Sequence, residues 1–355
     1  MSSPSAARLS FKVSDFRIVA QGLNYPEAPL YCKDTGTVLV VEVGAGTLSR
    51  IYPDGSKPKE VVATLGDGPN GAAHGPDGAI YVCNDGGFFI AHIPRTLADG
   101  RTDTIQVAIG EPPGFQGGSI QRVAPDGSFS TLYKTFSAND PTGKAHTLPL
   151  KSPDDLVFDE AGGFWFTDWG KDRWRDRDIT GVYYAKPDGS SIEEMIFPLK
   201  SPNGIGLSPD NRRLYVAESF TRRILYWDLS APGVIKPNPK TSNPGSKDGS
   251  YLLTANLPHE SCLDSFALDE AGNLYVTCFL PHGADVMTRG GIAVISPEGE
   301  TLEWIEIDIG DPDPLPSNIC FGGPDRRTAY ITLDATGVLI ACEMRIPGKE
   351  LLWAK

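Results

Sequence analysis

The sequence predicts an all-β protein, and more specifically a six-bladed β-propeller. Three observations lead to this prediction. A polar-then-strand pattern returns six times, no stretch shows an amphipathic helical period longer than two or three turns, and 39 glycines and 30 prolines separate short runs rich in Val, Ile, Tyr, Phe and Trp. Repeats of this kind, each the size of a small four-stranded sheet, are typical of propellers, in which every blade packs on two neighbours.

The repeated pattern begins with a polar residue, passes through a short run and a turn, and returns through an aromatic or aliphatic strand. DDLVFDEAGGFWFTD, from Asp154, and DSFALDEAGNLYVTC, from Asp264, show it most clearly. The six copies begin at Glu27, Asn70, Asp154, Asn203, Asp264 and Asn318. Successive copies start 43 to 61 residues apart, except for the longer interval from 70 to 154, which indicates an insertion.

The ring of a propeller closes when strands from the two ends of the chain share one blade. The N-terminal segment FRIVAQG (16–22) is predicted to complete the last blade beside the C-terminal strands. The whole chain, 1–355, is therefore predicted to form one propeller domain, with 1–14 as a flexible tail. Two packed β-sandwiches are the alternative architecture, although they would not require the same pattern six times.

Composition and charge exclude several classes of partner. A net charge of −13 and a pI near 4.9 argue against nucleic acids and anionic membranes, because both attract clustered Lys and Arg. The chain has no apolar run of membrane-spanning length, and its first residues, MSSPSAARLS, lack the features of a secretory signal. We therefore expect a cytoplasmic protein whose six scattered cysteines are reduced core thiols, while the oligomeric state stays open.

The geometry of the repeat predicts a ring of polar residues on the propeller axis. The first run leads away from the polar residue and the next strand comes back, so residues 14 or 15 positions later are expected at the same end of the sheet. These return positions include Glu42, Asn84, Asp168 and Glu218. Asn70, which precedes a glycine, is interpreted as a turn residue.

The acids of this ring predict a bound cation. Glu27, Asp154 and Asp264 are expected within a few ångströms of one another, and two like charges 4 Å apart repel by roughly 4 kcal/mol at an effective dielectric of 20. Either they protonate or a cation lies among them. Carboxylates together with the Asn203 amide suit Ca²⁺, Mg²⁺ or Mn²⁺ better than Zn²⁺, which favours nitrogen and sulfur ligands.

The ordered motifs resemble those of one known family. YPEAPLY, GPNGAAHGPDGAIYVCNDGG, SPDDLVFDEAGGFWFTD, SPNGIGLSPDNRRLYVAES and CLDSFALDEAGNLYV are similar to stretches of the six-bladed family of gluconolactonases, senescence marker protein (regucalcin) and luciferin-regenerating enzyme. The resemblance covers about 15–343. It implies metal ligands at Glu27, Asn203 and Asp264, with a fourth at Asp154, where this sequence has Pro-Asp-Asp instead of the commoner Pro-Asn-Asp. The additional negative charge favours Ca²⁺, with Mg²⁺, Mn²⁺ or Zn²⁺ as alternatives.

The resemblance also implies an activity. The family consists typically of metal-dependent lactone hydrolases, which predicts a hydrolase that acts on a small sugar or aliphatic lactone by metal-assisted attack of water. Asp264 is implied as the general base. Asp155 is predicted to take part in catalysis as a hydrogen-bond acceptor that faces away from the metal. Asn84, Asp168 and Trp169 are predicted to contact the substrate, although a purely structural role is an equal alternative for each.

Two other functions stay open at this point. A non-catalytic binding protein stabilised by calcium would need the same acids, and a phosphotriesterase-type hydrolase would use the same metal. In all three cases the expected cofactor is one divalent cation, and in the two enzymatic cases the partner is a small molecule.

Overall fold

A computed structural model describes residues 9–96, 100, 102–140, 142–238, 250–279, 290–310 and 315–354. Six antiparallel sheets, each with four main strands, follow one another along the chain. The described residues contain no α-helix, only one short 3₁₀ helix, Pro258–Glu260. The all-β, six-bladed propeller predicted from the repeats is confirmed.

Each blade contains the inner strand of one repeat copy. Strand β1 (Arg17–Gln21) precedes the first blade in sequence but belongs to the sixth, and β2 (Pro26–Cys32) begins the first blade. The first blade consists of β2 with β3 (Thr37–Glu42), β4 (Thr47–Ile51) and β5 (Glu60–Thr64). The second blade and its insertion comprise β6 (Pro69–His74), β7 (Ile80–Asn84), β8 (Ile90–Thr96), β9 (Thr102–Ala108), β10 (Ser119–Val123) and β11 (Phe129–Tyr133).

The remaining strands follow the same order. A hairpin of β12 (Thr135–Asn139) and β13 (Ala145–Pro149) leads to the third blade, β14 (Pro153–Phe158), β15 (Phe164–Asp168), β16 (Thr180–Ala185) and β17 (Ile192–Leu199). The fourth blade is β18 (Pro202–Leu207), β19 (Arg213–Glu218), β20 (Arg223–Ala231), β21 (Val234–Ile235) and β22 (Tyr251–Thr254). The fifth is β23 (Cys262–Leu268), β24 (Leu274–Phe279), β25 (Gly291–Ile295) and β26 (Thr301–Glu306), and the sixth contains β27 (Pro316–Gly322), β28 (Thr328–Leu333) and β29 (Val338–Glu343).

Aspartates at the turns explain why the first two strands of a blade reverse so tightly. In the third blade, Asp159 accepts hydrogen bonds from the backbone N–H groups of Ala161 and Gly163. In the fifth blade, Asp269 accepts equivalent bonds from Ala271 and Asn273. An aspartate that bonds its own backbone two residues on fixes a turn, and these turns set the register of the strands that follow.

The N-terminal segment closes the ring, as the sequence predicts. Strand β1 pairs antiparallel with β29, with Arg17 opposite Ala341. The expectation of a flexible tail over 1–14 is wrong for 9–14. Phe11 packs edge-on against Tyr275, and the backbone N–H of Val13 donates to the carbonyl of Glu343, so this stretch is fastened to the fifth and sixth blades.

The insertion in the second blade crosses one end of the propeller. The hairpin β8–β9 leaves the blade after β7, and its backbone bonds to the sixth blade, where the N–H of Gln106 donates to the carbonyl of Ala335. Ile105 and Val107 of this hairpin are buried with Leu315 and Ala335. The hairpin therefore joins the second blade to the sixth above the axis.

The six cysteines are free thiols, five of them buried, in agreement with the interpretation as core residues. At the opposite end of the axis, the C-terminal segment packs across the inner strands, and its Trp353 indole donates to the carbonyl of Asp159. The part of the chain that the structure describes contains no helix of the length and apolarity needed to cross a bilayer.

Candidate functional site

A cavity of about 350 Å³ lies on the propeller axis beneath the β8–β9 hairpin. The polar residues at its floor come from the starts of the inner strands or from loops beside them, namely Tyr25, Glu27, Asn70, Asp154, Asn203, Asp264 and Asp334, while Gln106, Asp172 and Ser219 line it elsewhere. The four residues predicted as metal ligands, Glu27, Asp154, Asn203 and Asp264, are thus brought to one cavity. Their role as ligands remains a prediction.

Local breaks in strand pairing place these side chains. At its first residues each inner strand leaves the regular ladder. The register shifts between Pro153 and Leu156 in the third blade and between Leu263 and Phe266 in the fifth. Asp154 and Asp264 lie inside these irregularities, and Asn203 lies inside the corresponding one of the fourth blade. Such irregularities re-aim side chains, so they present the polar residues to the axis.

Glycines next to the polar residues let the inner strands approach each other closely. A Cβ on Gly71 would lie 2.2 Å from the carbonyl oxygen of Asp154, and a Cβ on Gly204 would lie 2.7 Å from the Cα of Ser265. Any larger residue at either position would push neighbouring blades apart. The N-G pairs of the second and fourth blades are therefore packing requirements at the axis.

Burial and mutual repulsion make this group of acids unfavourable in the ionised form. Burial, more than any neighbouring charge, raises the pKa of Glu27 to about 8. Burial also raises the pKa of Asp154 and of Asp264 well above the usual carboxyl range, and the charge of Glu27 adds to both effects. A cation among these oxygens would remove the cause of the repulsion.

The cavity offers a mixed set of oxygen donors to a cation. Among the residues that the structure describes, no three His, Cys, Asp or Glu side chains are close enough together to form a group that could hold a metal ion, so a bound ion would require the acids of the cavity to draw closer. The donor set available here combines carboxylates with amides, and the amide of Asn203 bonds to the Asp264 carboxylate. Carboxylates and amides both carry oxygen atoms that can bind a metal, and hard divalent cations prefer oxygen ligands.

Asp155 lies behind the cavity, on the far side of the inner strands. One of its oxygens accepts a hydrogen bond from the backbone of Leu156, and the other lies 3.1 Å from Ser265 Oγ, which is also 3.3 Å from Asn203 Oδ1. Burial raises the pKa of Asp155 to about 6. The Ser265 hydroxyl has one proton, so it donates to either the Asp155 carboxylate or the Asn203 amide oxygen at a time. This placement separates Asp155 from any substrate in the cavity.

Asn84 and Asp168 require a correction, because neither lines the cavity. Asp168 is fully buried and accepts hydrogen bonds from the backbone N–H groups of Lys151, Ser152 and Gly170. Asn84 is buried as well, and its Oδ1 accepts from the N–H of Gly68 while its Nδ2 donates to the carbonyl of Gly66.

The physical reason is an offset of one residue in the pairing. Asp168 lies opposite Pro153, not opposite Asp154, and Asn84 lies opposite Pro69. Directly opposed residues share a face, and a shift of one residue reverses it. The return positions therefore fasten the loop that leads into each inner strand.

Trp169 does line the cavity, as part of an aromatic wall. Its ring packs edge-on against Phe88, at 5.7 Å between ring centres, and against Phe220 at 5.8 Å. Its indole N–H donates to Ser219 Oγ, which holds the ring in place. Apolar residues from the hairpin and the rim, including Val107, continue this wall.

Several residues of the cavity are not found by the sequence reasoning. Asn70 lines the cavity, so its interpretation as a turn residue alone is incomplete, and its place in the repeat could have indicated this. Tyr25 and Asp334 interact beside Glu27, and only Asp334 carries a signal, since it follows the return position of the sixth copy. The hairpin residues carry no sequence signal, because the repeat pattern does not say where an insertion folds.

Sequence comparisons relate the chain to proteins with names that describe lactone hydrolysis. A family model described as "SMP-30/Gluconolactonase/LRE-like region" matches residues 25–335. A gluconolactonase of Zymomonas mobilis is 25% identical over 324 residues, which cover 86% of this chain and 75% of that protein. The lactonase drp35 of Staphylococcus epidermidis is 27% identical over 268 residues, which cover 76% of this chain and 66% of that protein.

Solved structures share the fold. A gluconolactonase of Xanthomonas campestris superimposes with a TM-score of 0.65 at 20% identity, over 95% of this chain and 92% of that one. Regucalcin of Agrobacterium tumefaciens, described as a calcium-binding protein, gives a TM-score of 0.65 at 14% identity, over 96% and 97% of the two chains. At these identities the likeness concerns the architecture alone.

Proposed function

Because the chain belongs to the SMP-30/gluconolactonase/LRE-like family, we propose that it hydrolyses a small lactone with the help of one divalent cation in the axial cavity. The observation that carries this proposal is the gathering of Glu27, Asp154, Asn203 and Asp264, from four different blades, along one cavity. Buried acids from separate parts of the chain either take up protons or are balanced by a positive charge, and a cavity of about 350 Å³ has room for a small substrate.

The cation would be held by the carboxylates of Glu27, Asp154 and Asp264 and by the amide oxygen of Asn203. A donor set made only of oxygen suits Ca²⁺, Mg²⁺ or Mn²⁺, and three negative charges favour Ca²⁺. When bound, the ion supplies Lewis acidity at the lactone carbonyl and stabilises the negative charge that develops on its oxygen.

Asp264 is our choice for the general base. One of its oxygens accepts a proton from water while the water oxygen bonds to the carbonyl carbon. The ring C–O bond then breaks, and the ring oxygen takes up the proton held by Asp264 to give the hydroxy acid and restore the carboxylate. The hydrogen bond from Asn203 holds the Asp264 carboxylate in one orientation. Asp155 lies behind this arrangement, within hydrogen-bonding distance of Ser265, and does not face the substrate.

The cavity walls favour an aliphatic or aromatic lactone over a sugar lactone. Above the polar floor, the lining is mostly apolar, with Phe88, Val107, Ala108, Trp169, Phe220, Phe279 and Leu315. Its polar groups are those of Gln106, of Asp172, which pairs with Arg177, and of Ser219, which accepts from Trp169. The indole N–H of Trp169 is already bonded to Ser219, so it is not offered to substrate hydroxyls. A sugar lactone would leave several hydroxyl groups against this wall without partners, which is costly. An alkyl or aryl substituent would bury apolar surface there.

A lactone panel tests the proposal. Initial rates would be measured by proton release with an alkyl γ-lactone, an aldonolactone and an organophosphate triester, each with added Ca²⁺ and with chelator. We expect the highest kcat/KM for the alkyl lactone, activity that depends on the cation, and a loss of about 100-fold or more in kcat on Asp264→Asn. Asp269→Asn serves as the matched control, since Asp269 is a buried aspartate of the same blade that fixes a turn.

Two outcomes would contradict the proposal. Preference for the organophosphate would indicate a phosphotriesterase-type hydrolase. Tight Ca²⁺ binding without hydrolysis of any substrate would indicate a calcium-stabilised binding protein, the alternative that the calcium-binding description of the regucalcin neighbour favours.

A further inference from the structure

A buried ion pair lies beside the polar floor of the cavity. Lys171 follows β15 in the third blade, and Asp85 follows β7 in the second. Both side chains are 0% exposed, and Lys171 Nζ lies 3.5 Å from Asp85 Oδ1. The same ammonium donates to the carbonyl of Gly87 at 2.8 Å and lies 3.4 Å from the centre of the Phe88 ring.

Such a pair is expensive to bury. Burial lowers the pKa of Lys171 and raises that of Asp85, so each group needs the other to remain charged. Replacing buried pairs by apolar residues is often neutral or stabilising, and the stability of the fold alone is therefore a weak reason for this one. Its position next to the cavity suggests another role.

The second oxygen of Asp85 contacts a residue of the cavity. Asn70 Nδ2 donates to Asp85 Oδ2 at 3.4 Å. An ionised carboxylate can only accept hydrogen bonds, so the nitrogen of the amide must face Asp85 and its oxygen must face elsewhere. Asn70 also lies beside a proposed ligand, because the backbone of its neighbour Gly71 touches that of Asp154. The amide oxygen is thereby available to the floor of the cavity.

We propose that Lys171 is a positioning residue which, by pairing with Asp85, fixes the Asn70 amide so that its oxygen contributes to binding the cation. The inference rests on the proposed function, in that it requires a cation in the cavity. Lys171 itself touches neither the cation nor the substrate. Partners that orient a ligand in this way affect metal affinity strongly although they make no contact with the metal.

A double-mutant cycle tests the coupling. Ca²⁺ affinity would be measured by titration calorimetry for the unchanged protein, Lys171→Met, Asn70→Ala and the double variant. We expect Lys171→Met to weaken Ca²⁺ binding by about 10-fold, and to change it by less than about twofold when Asn70 is already alanine. An equal loss in both backgrounds would overturn the inference, because Lys171 would then act independently of Asn70.

A second lysine supplies the matched control. Lys349 is also largely buried, but it lies at the opposite end of the axis, where its Nζ donates to the carbonyl of Leu207. Lys349→Met should leave Ca²⁺ affinity unchanged, and a loss equal to that of Lys171→Met would point to general destabilisation and overturn the inference.

Removal of one charge could prevent folding, so a charge-neutral variant is included. Asp85→Ala combined with Lys171→Met removes both ions together and should weaken Ca²⁺ binding as much as Asn70→Ala does; unchanged affinity would overturn the inference. If the unchanged protein binds no divalent cation, the proposed metal dependence fails together with this inference. If it binds Ca²⁺ and Lys171→Met does not weaken that binding, only this inference fails.

Discussion

Buried ionisable side chains occur at both ends of the propeller axis. At the cavity, Glu27, Asp154 and Asp264 are carboxylates whose pKa values burial raises. At the other end, Lys349 is a buried lysine of the C-terminal segment itself. The two ends differ in kind, because the acids face a cavity that can admit a cation, whereas Lys349 is bonded to the protein itself.

Lys349 gives a prediction about pH. Burial lowers its pKa to about 8 in the folded protein, whereas a solvated lysine titrates near 10.4. Between these values the unfolded chain binds more protons, so this group makes the free energy of unfolding rise with pH in that window. Urea denaturation should show the unchanged protein gaining stability relative to Lys349→Met between about pH 8 and pH 10. Parallel pH profiles for the two proteins would contradict the account.

Part of the site could be predicted residue by residue from the sequence. Glu27, Asp154, Asn203 and Asp264 share a position in the repeat, so their meeting at one cavity could be predicted. The faces of Asn84 and Asp168 could not, because they depend on a one-residue offset that only the register reveals. Lys171 reaches from one blade to its neighbour, and a repeat pattern carries no information about contacts between copies.

At the scale of elements, the starts of the inner strands determine the site. Each inner strand pairs regularly along its length but leaves the ladder at its first residues, where the polar side chain turns to the axis. Glycines beside these residues permit the close approach of neighbouring strands. The insertion between 70 and 154 was predictable from the spacing, but its path across the axis was not, because that path depends on buried contacts with Leu315 and Ala335.

Gly204→Ala tests the close approach. The added Cβ would lie 2.7 Å from Ser265 Cα and 3.0 Å from the carbonyl oxygen of Asp264, and this backbone cannot move without displacing Asp264. We expect a loss of about 1–3 kcal/mol in the free energy of unfolding, together with weaker Ca²⁺ binding.

Gly206→Ala is the matched control for this variant, on the same strand. Its added Cβ would meet the ends of the Leu268 and Phe266 side chains, which can shift, so we expect a smaller loss and unchanged Ca²⁺ affinity. Equal effects of the two substitutions on both measurements would contradict the assigned role of Gly204.

At the scale of the whole molecule, the propeller results from six copies of one blade pattern and from the closure of the ring. Six copies of one pattern, spaced for one blade each, were sufficient to predict the propeller, because only a closed ring of such units leaves few exposed strand edges. The pairing of β1 with β29 completes the ring by joining the two ends of the chain. Closure brings residues far apart in sequence, such as Glu27 and Asp264, to the same cavity, and the proposed function depends on this convergence.

The most direct test of the central claim is an anomalous difference map from crystals soaked with Mn²⁺ or a lanthanide in place of Ca²⁺. The account predicts one dominant peak in the axial cavity, within coordinating distance of oxygens from Glu27, Asp154, Asn203 and Asp264. A cavity without a peak at a saturating concentration of the ion, or a dominant peak held by other residues, would contradict it.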